Sequence, residues 1–116
     1  MTWEVCAVDN DYEIFTEYPY QIRKINNKRI IREYHEKNGY LRCNMNGKKY
    51  LKHRVIAVQW IENDSPETKT YIDHINHIRD DNHINNLRWV TQSENSENKT
   101  SYKNVKATYL YELPDN

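Results

Sequence analysis

The sequence predicts an α+β fold in which antiparallel β hairpins come first, followed by a helix, a long-looped strand pair and a last helix. Three observations predict it. Both glycines stand in Asn-Gly pairs, Asn38-Gly39 and Asn46-Gly47, and Asn-Gly supplies the positive φ angles of a tight hairpin turn. Val55, Val58 and Ile61 recur at helical spacing, with Ile56 and Trp60 widening the apolar face. Thr91-Gln92-Ser93-Glu94 has the T-x-x-E pattern of a capping box that opens a helix.

In chain order, Trp3, Val5 and Ala7 suggest a first short strand, closed by the turn formers Asp9-Asn10-Asp11. Residues 12–15 read as a second strand. Asn26-Asn27 then turns a basic strand at 21–25 into another at 28–34. Asn46-Gly47 joins strand 40–45 to strand 48–52, a register that sets Cys43 opposite Tyr50 and Arg42 opposite Leu51. The helix spans 53–62 and ends at Asn63-Asp64-Ser65-Pro66. Strands at 70–73 and 87–90 flank thirteen residues, 74–86, too polar for a core helix and long for a hairpin loop. Asn95 falls in the first turn of the helix after Thr91. The tail shows one apolar pattern, Tyr109-Leu110-Tyr111, which docks or frays.

At 116 residues the chain fits one domain. Only 37% of residues are hydrophobic and the mean hydropathy is −1.10, so 10 Tyr and 3 Trp must supply much of the buried area. No run approaches the ~18 apolar residues of a membrane span. The first residues lack a basic segment, so a secretory signal is not expected. Cys6 and Cys43 are too few for a disulfide framework, which fits buried thiols and an intracellular location.

The net charge is zero but unevenly spread. Residues 20–54 hold eleven Lys and Arg against Glu33 and Glu36, whereas residues 1–19 hold five acids and no base. Because charge acts over about 10 Å at ordinary salt, the basic block matters more to a polyanion than the total does.

The chemistry concentrates in the last third. Asp73-His74 ends one strand, and Asn95 opens a helix soon after the returning strand. Asp73 and Asn95 offer two hard oxygen ligands, suited to a magnesium-type ion that keeps several waters. An unperturbed histidine titrates at ~6.5, which suits His74 to removing a proton from water. As spacing alone this is weak, since Asp, His and Asn are common in loops.

Three blocks in order make the pattern specific: Asp73-His74-Ile75-Asn76, Asn85-Asn86-Leu87-Arg88-Trp89-Val90-Thr91, and Ser93-Glu94-Asn95. Together they resemble the His-Asn-Asn variant of the HNH homing-type endonucleases. Upstream, Asn38-Gly39-Tyr40-Leu41, Asn46-Gly47-Lys48-Lys49-Tyr50 and His53-Arg54-Val55-Ile56-Ala57 are similar to the segment that precedes the nuclease in that family. Tyr12-Glu13-Ile14 and Ile22-Arg23 weakly resemble its N-terminal DNA-associated module. The likeness covers roughly residues 12–98.

That resemblance implies a ββα-metal nuclease unit at 53–100, a basic β portion at 1–52 serving as the DNA-associated module, and a tail at 101–116, within one compact domain. It implies metal-dependent hydrolysis of DNA with one divalent cation, Mg²⁺ or Mn²⁺, on Asp73 and Asn95. His74 is then the general base, and Asn86 ties the loop across itself and holds His74 in place. Asn85 and Asn98 are the neighbours with which Asn86 and Asn95 are most easily confused. The residues expected at DNA are Arg23, Lys24, Arg42, Lys48, Lys49, Lys52, Arg54 and Arg88. Neither a membrane nor a small-molecule substrate is implied.

Two departures from the family pattern stand out. His77 takes a place usually held by a small turn residue, often Gly, and Tyr18-Pro19-Tyr20 replaces an expected Gly turn in the N-terminal module. His77 and His83 match no zinc spacing with Cys43 and read as loop histidines. Two rival readings are a DNA-binding module that keeps the fold without cleaving, and a protein-interaction domain that uses its charge blocks.

Overall fold

Antiparallel pairing organises the chain into three small sheets in the computed structural model, which describes residues 2–96. Asn98 and the Tyr109-Leu110-Tyr111 pattern lie outside the described residues. Strands β1 (Trp3–Val5), β2 (Tyr12–Phe15) and β3 (Ile22–Lys24) form the first sheet in that order. The second comprises β4 (Glu33–His35), β5 (Leu41–Met45) and β6 (Lys48–Leu51). Helix α1 (Lys52–Trp60) follows, and β7 (Tyr71–His74) pairs with β8 (Leu87–Val90) as the third. Residues 92–96 are helical. The antiparallel strands and few helices make this an α+β fold.

Turn chemistry accounts for the second sheet. Asn46 (φ 51°) and Gly47 (φ 75°) both adopt the left-handed conformation that their types tolerate best, and the β5–β6 register pairs Cys43 with Tyr50 and Arg42 with Leu51. The hairpin tip docks on the first sheet: the Asn46 amide donates to Asp9 Oδ2 (2.8 Å) and Asp11 Oδ2 (3.0 Å), and its backbone N–H to Tyr12 Oη (3.1 Å).

Two elements depart from the sequence expectation. Residues 28–34 do not form one strand. Lys28 sits at φ +60° with its N–H on Lys24 O, which lengthens the turn, and Ile30 makes an isolated bridge to Arg23 before pairing resumes at Glu33. Helix α1 begins at Lys52 and stops at Trp60, leaving Val58 exposed. Ile61 turns extended and its carbonyl accepts the Trp89 indole N–H at 3.0 Å, a bond that anchors β8 to the helix end.

One apolar cluster runs through all these parts, joining Ile14 and Ile22 to Cys43, Met45, Val55, Ile56 and Leu87. Each such buried aliphatic side chain contributes about 1.5–3 kcal/mol of transfer free energy. Burial pushes the Cys43 thiol up to about 11 and the Cys6 thiol to about 12, so both stay protonated and act as small apolar fillers. Helix α1 packs against β5, β6, β7 and β8, which sets its first turn over the end of the third sheet. Among the described residues, no helix is long and apolar enough to cross a membrane.

Candidate active site

Asp73 and His74 close β7, where pairing sets them opposite Arg88 and Leu87. Both are buried, at 4% and 5% exposure. Asp73 Oδ2 accepts from Arg88 Nε at 3.0 Å, so the guanidinium, itself half exposed, offsets the charge of a buried carboxylate. His74 Nε2 lies 2.7 Å from Asn82 Oδ1. Burial pulls its pKa below the ordinary histidine value, against the opposing pull of the Asn82 bond and the Asp73 charge, so the imidazole is neutral at neutral pH.

The loop after His74 is held by amides. Asn86, fully buried in the 3₁₀ turn Ile84–Asn86, donates to Asn76 Oδ1 (2.9 Å) and Asp81 O (2.7 Å) and accepts from Asn76 N–H (3.0 Å). Its carbonyl also accepts from Ile75 N–H at 2.8 Å. The amide that ties the loop is thus Asn86, while the one touching the His74 ring is Asn82. Asn85, the alternative, is exposed. His77 takes φ +67°, which is why a small residue suits that position.

Two aromatic neighbours wall in the His74 ring. The His53 ring lies edge-on to His74 at 4.9 Å, and Tyr40 approaches both, at 5.1 Å from His53 and 5.7 Å from His74. Burial first, then the His74 ring and Arg54, push the His53 pKa down to about 3, and its Nδ1 is buried with no hydrogen-bond partner among the described residues. The stretch that breaks the expected Gly turn braces the same loop: Tyr18 stacks on His83 at 3.6 Å, and Tyr20 Oη accepts from Ile84 N–H at 3.2 Å.

Beyond β8 the capping box forms as its pattern implies. Thr91 Oγ1 accepts from Glu94 N–H (3.1 Å) and Glu94 Oε1 from Thr91 N–H (2.9 Å). Asn95 is buried in that helix, its N–H on Thr91 O.

The basic residues fare unevenly. Lys52 is buried, at 1% exposure, its ammonium paired with Glu33 and bonded to Pro19 O, so it does not face DNA; the expectation is corrected. From the helix start its side chain reaches inward to Glu33 of β4 and the Pro19 carbonyl. Arg23 is paired with Glu13 and lies over Trp3. Arg42 and Lys49 share Glu36. Arg54 donates to Thr70 O beside Trp89, and Arg88 holds Asp73. Among the described residues, Lys24 and Lys48 have no carboxylate partner.

The sequence profile described as HNH endonuclease matches residues 50–97, the span from β6 through the helix after β8. Over residues 50–97 the chain carries the HNH endonuclease pattern, and it is similar to the HNH homing-type endonucleases. A relative described as uncharacterized HNH endonuclease L247, from Acanthamoeba polyphaga mimivirus, is 46% identical over 43 residues, covering 37% of this chain and 11% of that one. DNA endonuclease I-HmuI of Bacillus phage SP01 is 32% identical over 85 residues, covering 70% of this chain and 48% of that one. A solved structure titled "DNA binding and cleavage by the HNH homing endonuclease I-HmuI" matches with a TM-score of 0.69 at 26% identity, covering 93% of this chain and 63% of that chain. The matches thus span about half the length of I-HmuI and about a tenth of the mimivirus relative. The HNH family likeness reaches well beyond the profile span, into the N-terminal sheets.

Proposed function

We propose that this chain hydrolyses phosphodiester bonds in DNA with His74 as general base and one divalent cation, Mg²⁺ or Mn²⁺, held by Asp73 and Asn95. The observation that carries the reading is a buried, neutral histidine at a strand end beside a carboxylate, on a loop clamped by Asn86. A neutral imidazole can take a proton from water at neutral pH, and a charged one cannot.

The donor chemistry fits a hard cation, since Asp73 and Asn95 both offer oxygen. Among the described residues, no group of three or more His, Cys, Asp or Glu collects, so water and phosphate would complete the shell. We take Asn95 over Asn98 because it falls in the first turn of the helix that the Thr91–Glu94 capping box opens. When bound, the cation would stabilise charge on the phosphate and the leaving oxygen.

His74 accepts the proton as the water oxygen bonds to phosphorus, and the bond to the 3′ oxygen breaks with its electron pair. Exposed Lys48, Arg54 and Arg88 would hold the backbone with little regard for sequence. Lys24, Lys49, Arg23 and Arg42 would join them, the last three by exchanging their carboxylate partners for phosphate.

A second reading has one observation in its favour. Arg88 already sits on Asp73, which weakens that carboxylate as a ligand and suits a binding module that does not cleave. Supercoiled plasmid incubated with the protein separates the two. The nuclease reading expects nicked or linear product with Mg²⁺ or Mn²⁺ and none with chelator; intact plasmid under every condition, together with salt-dependent binding, would support the idle module. Calorimetry with Mn²⁺ and an uncleavable DNA tests the ligands. Asn95→Ala should abolish the metal signal and Asn98→Ala should leave it; the reverse would move the ligand one turn along the helix.

A further inference from the structure

We infer that Asn82 is a positioning residue for the base, holding His74 as the Nε2–H tautomer so that Nδ1 carries the lone pair that receives the proton. The inference rests on reading His74 as the base, and it concerns a residue that the Asp-His, Asn and Asn blocks do not include.

The geometry is specific. Asn82 is 3% exposed and its Oδ1 stands 2.7 Å from His74 Nε2. An amide oxygen has no proton to give, so Nε2 must be the donor. A neutral imidazole has one N–H, and donation from Nε2 leaves Nδ1 as the acceptor. Among the described residues Asn82 is the only hydrogen-bond partner of the His74 ring, so no second contact fixes the tautomer. The His53 and Tyr40 rings limit how far the imidazole can turn, but they contribute no hydrogen bond to it.

Asn86 acts through the same residue. Its side chain donates to the carbonyl of Asp81, which immediately precedes Asn82, so the amide that clamps the loop also sets where the Asn82 side chain starts. The order is Asn86 to the Asp81 carbonyl, the Asp81–Asn82 peptide, and Asn82 to the imidazole. Among the described residues Asn82 keeps its Nδ2 buried without a partner, a cost of about 1–3 kcal/mol that a purely structural loop amide has no reason to bear. The oxygen is used on His74 and the nitrogen is sacrificed.

The test is nitrogen NMR of the histidine rings in the full chain, with the His74 signals identified by their loss in His74→Ala. Wild type should show His74 protonated at Nε2 alone. Asn82→Ala should show both tautomers and a kcat lowered about 10- to 100-fold, the size of loss found when the partner that orients a metal-bound histidine is removed, with affinity for uncleavable DNA unchanged. Asn82→Asp, whose carboxylate also accepts from Nε2, should restore the tautomer. A wild-type ring protonated at Nδ1, or a tautomer indifferent to Asn82→Ala, would overturn the inference. Cleavage by His74→Ala at the wild-type rate would overturn the base reading itself, and the role of Asn82 with it, whatever the tautomer.

Discussion

His53 is buried beside the proposed base with a pKa near 3, far below the value of ~6.5 in an unfolded chain. Between those values the unfolded state binds a proton that the folded state refuses, so stability falls as pH drops from about 6.5 toward 3. His53→Phe keeps a ring against Tyr40 and His74 but cannot titrate; its acid-unfolding curve should be flatter across that window than the wild-type curve, measured by denaturant titration at each pH. An unchanged slope would mean that His53 is not held neutral. His77 makes a different demand at the same scale. Its φ of +67° costs a non-glycine residue roughly 1 kcal/mol, so His77→Gly should raise the melting temperature by a few degrees and the β-branched His77→Val should lower it. The pattern of the sequence exposed His77 as a departure, and the backbone angle explains which property of the position is at stake.

At the scale of elements, what was legible in the sequence depended on how local its cause was. The Asn46-Gly47 hairpin, its Cys43–Tyr50 register and the Thr91–Glu94 capping box are each decided by neighbours within a few residues, and the structure has them as read. The end of α1 was not legible, because it depends on a bond between Ile61 and Trp89, 28 residues away. Nor were Asn82 and His53 as neighbours of His74, since the loop fold and helix packing bring them there. Tyr18-Pro19-Tyr20 departs from the pattern of the N-terminal module, and in the structure it braces the loop of residues 74–86. Tyr20→Phe would leave the Ile84 N–H without its acceptor and should cost about 1–2 kcal/mol by chemical denaturation. A variant as stable as wild type would mean that water replaces the hydroxyl and the brace carries no load.

For the whole molecule, charge is the property that folding changes most. The basic block of residues 20–54 is an excess on paper, yet Glu13, Glu33 and Glu36 take up Arg23, Lys28, Arg42, Lys49 and Lys52. Lys52→Met should therefore lower stability by about 2–3 kcal/mol, less than for a fully buried pair because Glu33 reaches water, and leave DNA affinity unaltered. Lys48→Ala should reduce the slope of log affinity against log salt by about 0.9, and Lys49→Ala by less, since Glu36 already holds that ammonium. Equal losses for the two lysines would show that the Glu36 pair opens freely on DNA. The central claim is that His74 activates the attacking water within this assembly, and single-turnover cleavage of bound DNA by His74→Ala, with Mg²⁺ or Mn²⁺ saturating, tests it most directly. The account predicts a rate lower by about 10²- to 10⁴-fold at unchanged DNA affinity; cleavage at the wild-type rate would contradict it.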